Sequence, residues 1–144
     1  MTTKESILIF GAHPDDIEIG MGGTVAKLSK SDDYDVHLVI ATLPNFVKSD
    51  TKEGRQSEAI MSAKVMGCSS PELLDLSPEE LVFNRRFVGI VDKIIKEKKP
   101  DAVFTQWIGD SHQDGEYARM AGTMFELATC QTLYHTIARL WDLP

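Results

Sequence analysis

Ser6-Ile7-Leu8-Ile9-Phe10-Gly11-Ala12, followed at once by His13-Pro14-Asp15-Asp16, is the stretch on which the fold turns. An unbroken apolar run of this length is the mark of a strand buried on both faces, as in parallel sheets; a half-solvated strand would alternate with polar residues. His13-Pro14 then opens a helical stretch reaching about Lys30. Pro14 takes the first helical position, where the missing amide costs nothing. Strand, tight turn and helix in this order make the first half of a βαβ unit.

The same alternation continues outward. Val36–Thr42 reads as a second buried strand and Leu43–Gly54 as a polar loop. Arg55–Met66 reads as a helix with Ala59, Ile60, Ala63 and Met66 on one face, stopped by Gly67. Leu73–Leu76 suits a short third strand. In Phe83–Lys98, Phe87, Val91, Ile94 and Ile95 recur at helical spacing, Lys96, Lys98 and Lys99 favour the C-terminal end, and Pro100 closes it. Ala102–Thr105 is a fourth strand and Gln106–Gly115 a loop; Glu116–Thr129 reads as helical, and Leu133–Leu140 fits helix and strand equally. Strands alternating with helices predict an α/β fold with a mainly parallel sheet, helices on both faces and right-handed crossovers.

A chain of 144 residues suits a single domain spanning residues 1–144, with no internal repeat. The formal net charge of -7 argues against a nucleic-acid backbone or an anionic membrane as partner. The two cysteines, Cys68 and Cys130, make neither a disulfide framework nor a thiolate metal site. Ile7–Phe10 is too short for a signal-peptide core or a membrane span, so the sequence reads as a reduced, soluble, cytoplasmic protein.

Open parallel sheets bind ligands beyond the carboxyl ends of their strands. That rule selects the loops 12–23, 43–54 and 106–115. In the first, His13 at a helix cap and Asp16 one turn on share a face and can converge on one cation. Their nitrogen and oxygen donors suit zinc or another first-row divalent metal. Asp15 points away from Asp16 and is placed to bond a metal-bound water. The plainer reading has both acids complementing the helix dipole; the full His-Pro-Asp-Asp string after a buried strand favours chemistry. Gly20, Gly22 and Gly23 each cost a helix roughly 1 kcal/mol against alanine, which points to close backbone approach or room for a substrate. Their spacing from Gly11 is not that of a dinucleotide loop.

The third loop carries Asp110-Ser111-His112-Gln113-Asp114. His112 suits a ligand, a general acid or an oxyanion donor, and Asp114 can orient it; a solvated loop is the plainer alternative. Arg55 is either a substrate-binding guanidinium or half of a surface pair with Glu58. Asp75 is a loop acid or another site residue, and Trp107 and Tyr117 are core residues or stack on a sugar-like ring.

Ile7-Leu8-Ile9-Phe10-Gly11-Ala12-His13-Pro14-Asp15-Asp16, continued by Gly20-Met21-Gly22-Gly23-Thr24, resembles the LmbE-like family, which includes the N-acetylglucosaminylphosphatidylinositol de-N-acetylases (PIG-L). Arg55-Gln56-Ser57-Glu58-Ala59 resembles its Arg-x-x-Glu-Ala helix, and Lys99-Pro100-Asp101-Ala102-Val103-Phe104-Thr105 the segment before its second metal motif. The likeness covers roughly residues 6–114. It implies a Rossmann-like three-layer fold and zinc-dependent removal of an N-acetyl group from a small molecule, with N-acetylglucosamine the expected unit. By that resemblance His13 and Asp16 are metal ligands and Asp15 the general base. His112 stabilises the oxyanion or protonates the amine, Asp114 supports it, and Arg55 binds substrate.

The chain departs from the family at one telling place. The second motif reads His-x-Asp-His, and its last His is the third ligand, whereas this chain has His112-Gln113-Asp114-Gly115. Glycine has no side chain to ligate with, so the third position falls to His112, to Asp114, or to a neighbouring subunit in a homo-oligomer. Glu116 to Pro144 also diverges, which suggests a C-terminally truncated relative. Two further readings follow: a catalytically impaired relative, or a phospho-acceptor signalling domain using Asp15, Asp16, Asp75 and Thr105. His13-Pro14 and the glycine run do not fit the second.

Overall fold

The computed structural model describes residues 4–44, 51–77, 79–82 and 84–106. Strand β1 (Glu5–Gly11) leads through helix α1 (Asp16–Leu28) to β2 (Tyr34–Ile40), and α2 (Lys52–Val65) leads to β3 (Glu72–Leu73). Helix α3 (Arg85–Lys98) then returns to β4 (Ala102–Phe104). The four strands form one sheet in the order β3-β2-β1-β4, and every pairing is parallel. The expected α/β architecture is therefore present, with β1 at the centre.

The apolar run of β1 divides by period two between two cores, as a strand buried on both faces must. Ile7 and Ile9 join Val36, Leu38 and Ile40 of β2 against Ile17, Met21 and Val25 of α1 and Ala59 and Ala63 of α2. Leu8 and Phe10 face the other way, with Val39 and Val103, against Phe87, Val91, Ile94 and Ile95 of α3. Phe10 and Phe87 meet edge to face with centroids 6.4 Å apart, the arrangement aromatic quadrupoles prefer. Helix, sheet and helix thus form three layers.

The helix starts are chemically set. The Asn84 side chain accepts from the amides of Arg86 and Phe87 at 2.9 and 3.0 Å, so α3 begins two residues later than its apolar spacing suggests. Thr51 accepts from Gly54 at 3.0 Å, which carries α2 back to Lys52, ahead of the expected Arg55. Both are N-caps satisfying amides that lack a helical partner.

Helix α1 departs most from expectation. It begins at Asp16, and Pro14 lies in a turn before it rather than at its first position. The helix is also broken at Met21, whose φ and ψ are -151° and 20°. Gly20 and Gly22 flank the break, a common cause of a helix kink. A side chain at Gly22 would sit against the Met66 sulfur at 3.6 Å, while Gly23 faces open space, so close approach explains only one of the two. No helix among the described residues is long and apolar enough to cross a membrane.

Candidate active site at the carboxyl end of β1

The site grows from the point where β1 stops. Its pairing with β2 runs on beyond both strands: Ala41 donates its amide to the Gly11 carbonyl at 3.0 Å, and Thr42 donates to Ala12 at 2.9 Å. The buried Thr42 hydroxyl also donates to the Ala12 carbonyl, at 3.0 Å. The backbone entering His13 is held by the sheet itself.

Pro14 and Asp15 form the tip of the next turn. Asp15 has φ 93° and ψ -28°, close to the third residue of a type II turn, where the preceding position favours proline. The turn reverses the chain so that Asp16, the first residue of α1, reaches back over His13. Asp16 Oδ2 accepts the His13 amide at 2.8 Å and stands 3.6 Å from His13 Nδ1. His13 and Asp16 therefore meet through a turn, not by sharing a helix face, since His13 lies outside the helix.

A second strand end joins them. Gln106, just beyond β4, donates its Nε2 to Asp16 Oδ2 at 2.7 Å. Burial works to raise the Asp16 carboxyl, but the His13 ring, the His13 amide and Gln106 outweigh it and hold the group below the usual carboxylate value. Asp16 stays an anion, with Oδ2 committed to hydrogen bonds and Oδ1 carrying none from a described residue. The Asp15 carboxyl shifts the opposite way. Partial removal from water raises it first, the neighbouring Asp16 and Glu18 charges raise it further, and Arg55 and His13 oppose the rise.

Arg55 lies in the first turn of α2 and forms no ion pair with Glu58; its charge acts on Asp15 instead. Its Nε and the Oε2 of Glu18 are both buried without a hydrogen-bond partner among the described residues. Orphaned buried atoms are uncommon in native structures, and two of them flank the same carboxylate.

The donor set fits half of a divalent-metal site. The His13 ring and the Asp16 carboxylate supply a nitrogen and an oxygen donor of the kind zinc takes, and they adjoin, with Nδ1 3.6 Å from Oδ2. No group of three His, Cys, Asp or Glu side chains with metal-binding geometry occurs among the described residues. His112, Asp114 and Gly115 lie outside those residues, as do Trp107, Tyr117, Cys130 and the segments 116–129 and 133–140. Asp75 stands apart from the site, after β3, paired with Lys52.

Gln106 and Glu18 were not singled out from sequence. Gln106 belongs to no motif, and its only signal is its place directly after a strand at the carboxyl edge. Glu18 looks like one more first-turn acid.

The family model described as GlcNAc-PI de-N-acetylase, PIG-L, matches residues 8–124. The uncharacterized deacetylase YaiS of Escherichia coli is 28% identical over 136 residues, which is 90% of this chain and 70% of that protein. Diacetylchitobiose deacetylase of Thermococcus kodakarensis is 27% identical over 128 residues, 82% of this chain and 48% of that protein. The solved N,N'-diacetylchitobiose deacetylase of Pyrococcus horikoshii superposes with a TM-score of 0.72 at 27% identity, covering 87% of this chain and 52% of that one. The chain thus spans about half the length of the two diacetylchitobiose deacetylases. A phospho-acceptor domain gains no support from these likenesses.

Proposed function

Because the chain belongs to the GlcNAc-PI de-N-acetylase (PIG-L) family, we propose that it is a metal-dependent hydrolase that removes the N-acetyl group from an N-acetylated sugar or a related small molecule. The observation that carries this reading is the convergence of His13, Asp15, Asp16, Arg55 and Gln106 from three elements onto the carboxyl edge of the sheet. Parallel sheets place ligands at that edge.

In this reading His13 and Asp16 would hold a zinc ion or another divalent metal, the third ligand being His112, Asp114 or a side chain of a neighbouring subunit, and where His112 does not ligate it is left for catalysis. The ion, when bound, polarises the amide carbonyl and eases deprotonation of water. Asp15 takes the proton of the attacking water. Its raised carboxyl makes it a stronger proton acceptor than an ordinary aspartate. Gln106, by donating to Oδ2, fixes the Asp16 carboxylate, and Oδ1 would serve as the ligand atom. Arg55, whose buried Nε has no partner among the described residues, donates to substrate. His112, supported by Asp114, steadies the developing oxyanion or delivers the proton with which the amine leaves, and acetate departs.

The test pairs metal content with acetate release from N-acetylated sugars, for the chain and its Asp15→Asn variant. A bound divalent metal and acetate release that depends on Asp15 support the reading. Equal release from both proteins removes Asp15 as base, and a folded chain that takes up no metal overturns metal dependence.

A further inference from the structure

Thr105 follows Phe104, where β4 ends, and is buried, with 5% of its surface exposed. Its hydroxyl donates to Gln106 Oε1 at 3.3 Å. The other end of the same carboxamide, Nε2, donates to Asp16 Oδ2 at 2.7 Å, and Oδ2 also accepts the His13 amide at 2.8 Å. One chain of hydrogen bonds therefore runs from the end of β4 to the turn after β1. Its donors all point toward Asp16: Thr105 to Gln106, Gln106 to Asp16, His13 to Asp16. Bonds aligned in this way polarise one another, so a donor on Oε1 makes Nε2–H a better donor to the carboxylate.

The two neighbours differ in stiffness. Glutamine has three side-chain torsions, and fixing them is among the costlier side-chain losses. A half-buried glutamine tied at one end keeps swinging. Threonine is branched at Cβ and stiff at χ1, and Thr105 directly follows a residue of the ladder, since Phe104 pairs with Ile9. Asp16 decides which end of the carboxamide faces it, because an anion accepts from Nε2 and repels Oε1. Thr105 supplies the donor that Oε1 then needs. At 3.3 Å the bond is long for a hydroxyl donor, which suits steering a side chain more than adding stability.

We infer that Thr105 is a positioning residue of the candidate metal half-site: its hydroxyl holds the Oε1 end of Gln106 and, through Nε2, fixes the Asp16 carboxylate. The inference rests on the metal-dependent deacetylase reading for what Asp16 then binds. The bond chain itself is present without a cation and can be tested without one.

Two variants of the full chain test it: Thr105→Val keeps the branch and loses the hydroxyl, and Thr105→Ser keeps the hydroxyl. Proton exchange of the Gln106 side-chain amide is read by NMR without metal, and zinc affinity by competition with a chromophoric chelator. In the unmutated chain the Gln106 amide protons exchange more slowly than those of exposed Gln56. Thr105→Val brings them to the Gln56 rate and weakens zinc binding about 2- to 10-fold, the scale of one modest hydrogen bond; Thr105→Ser restores both. In a Gln106→Ala background Thr105→Val costs no further affinity, because the path to Asp16 is already cut. Equal exchange at Gln106 and Gln56 in the unmutated chain overturns the role even if Thr105→Val fails to fold. Unchanged exchange in Thr105→Val, no rescue by serine, or the same loss of affinity with and without Gln106 overturns it too. Slow Gln106 exchange that depends on Thr105, in a folded chain that takes up no zinc, supports the positioning role and overturns the metal reading.

Discussion

Gln106 Nε2 donates to Asp16 Oδ2 at 2.7 Å, joining the end of β4 to the first residue of α1 across the carboxyl edge. An amide is suited to this place because it supplies a donor without charge and so leaves the carboxylate its full negative charge. Outer partners of metal ligands commonly change affinity 10- to 100-fold when removed. Gln106→Ala is expected to weaken zinc binding by about that factor, read by competition with a chromophoric chelator, with the fold unchanged. Gln106→Glu sets a second carboxylate against Oδ2 and weakens it further. Unchanged affinity in both variants would show that Gln106 does not orient Asp16.

Asp15→Asn is expected to lower kcat/KM for acetate release by about 10²- to 10⁴-fold, the usual contribution of a general base. The same change leaves stability at neutral pH equal or higher. The sign follows from the raised carboxyl: partial burial first, and then the Asp16 and Glu18 charges, disfavour ionised Asp15 in the fold, so the stabilising state is the protonated one, present at low pH and lost as pH rises through the folded value. Asparagine also accepts the φ of 93° at this position. Asp15→Ala, by contrast, adds roughly 1 kcal/mol of backbone strain, so its Tm should fall where that of Asp15→Asn does not. A lower Tm for Asp15→Asn would contradict the assigned cost of burying a charge beside Asp16 and Glu18.

The acid limb of the pH–rate profile should follow Asp15, with activity lost as falling pH protonates the base. Two neighbours move that limb in opposite directions. Glu18→Gln removes a negative charge and shifts the limb to lower pH; Arg55→Met removes a positive charge and shifts it to higher pH. A limb that stays put in both variants belongs to another group.

Asn84→Ala should cost about 1 kcal/mol of stability through loss of the α3 cap, with no change in metal affinity. α3 packs on the face opposite α1 and α2. Chemical denaturation alongside zinc titration separates the two effects, and a parallel loss of affinity would mean that the site feels α3 directly.

The three-layer plan was legible because burial on both sides leaves an unmistakable trace. Ile7–Phe10 carries no polar residue, and Phe87, Val91, Ile94 and Ile95 keep helical spacing and are all buried. The start of α1 was not legible. Proline in a first helical turn and proline in a tight turn before a helix look alike in sequence, and only the positive φ of Asp15 separates them. Caps such as Asn84 and Thr51 shift helix ends by a few residues that apolar spacing cannot sense. Among the site residues, the His13-Pro14-Asp15-Asp16 string announced itself, whereas Gln106 acts through a bond spanning 90 positions, which no local pattern encodes.

The Ala12 carbonyl accepts twice from Thr42, through its amide and its hydroxyl. The turn bearing His13 is thereby the last rung of the most deeply buried strand pair rather than an independent loop. Heat should not melt the candidate half-site while the sheet survives. Inactivation and global unfolding become one event, and amide exchange at Thr42 should be as slow as at Val39, deep in the sheet.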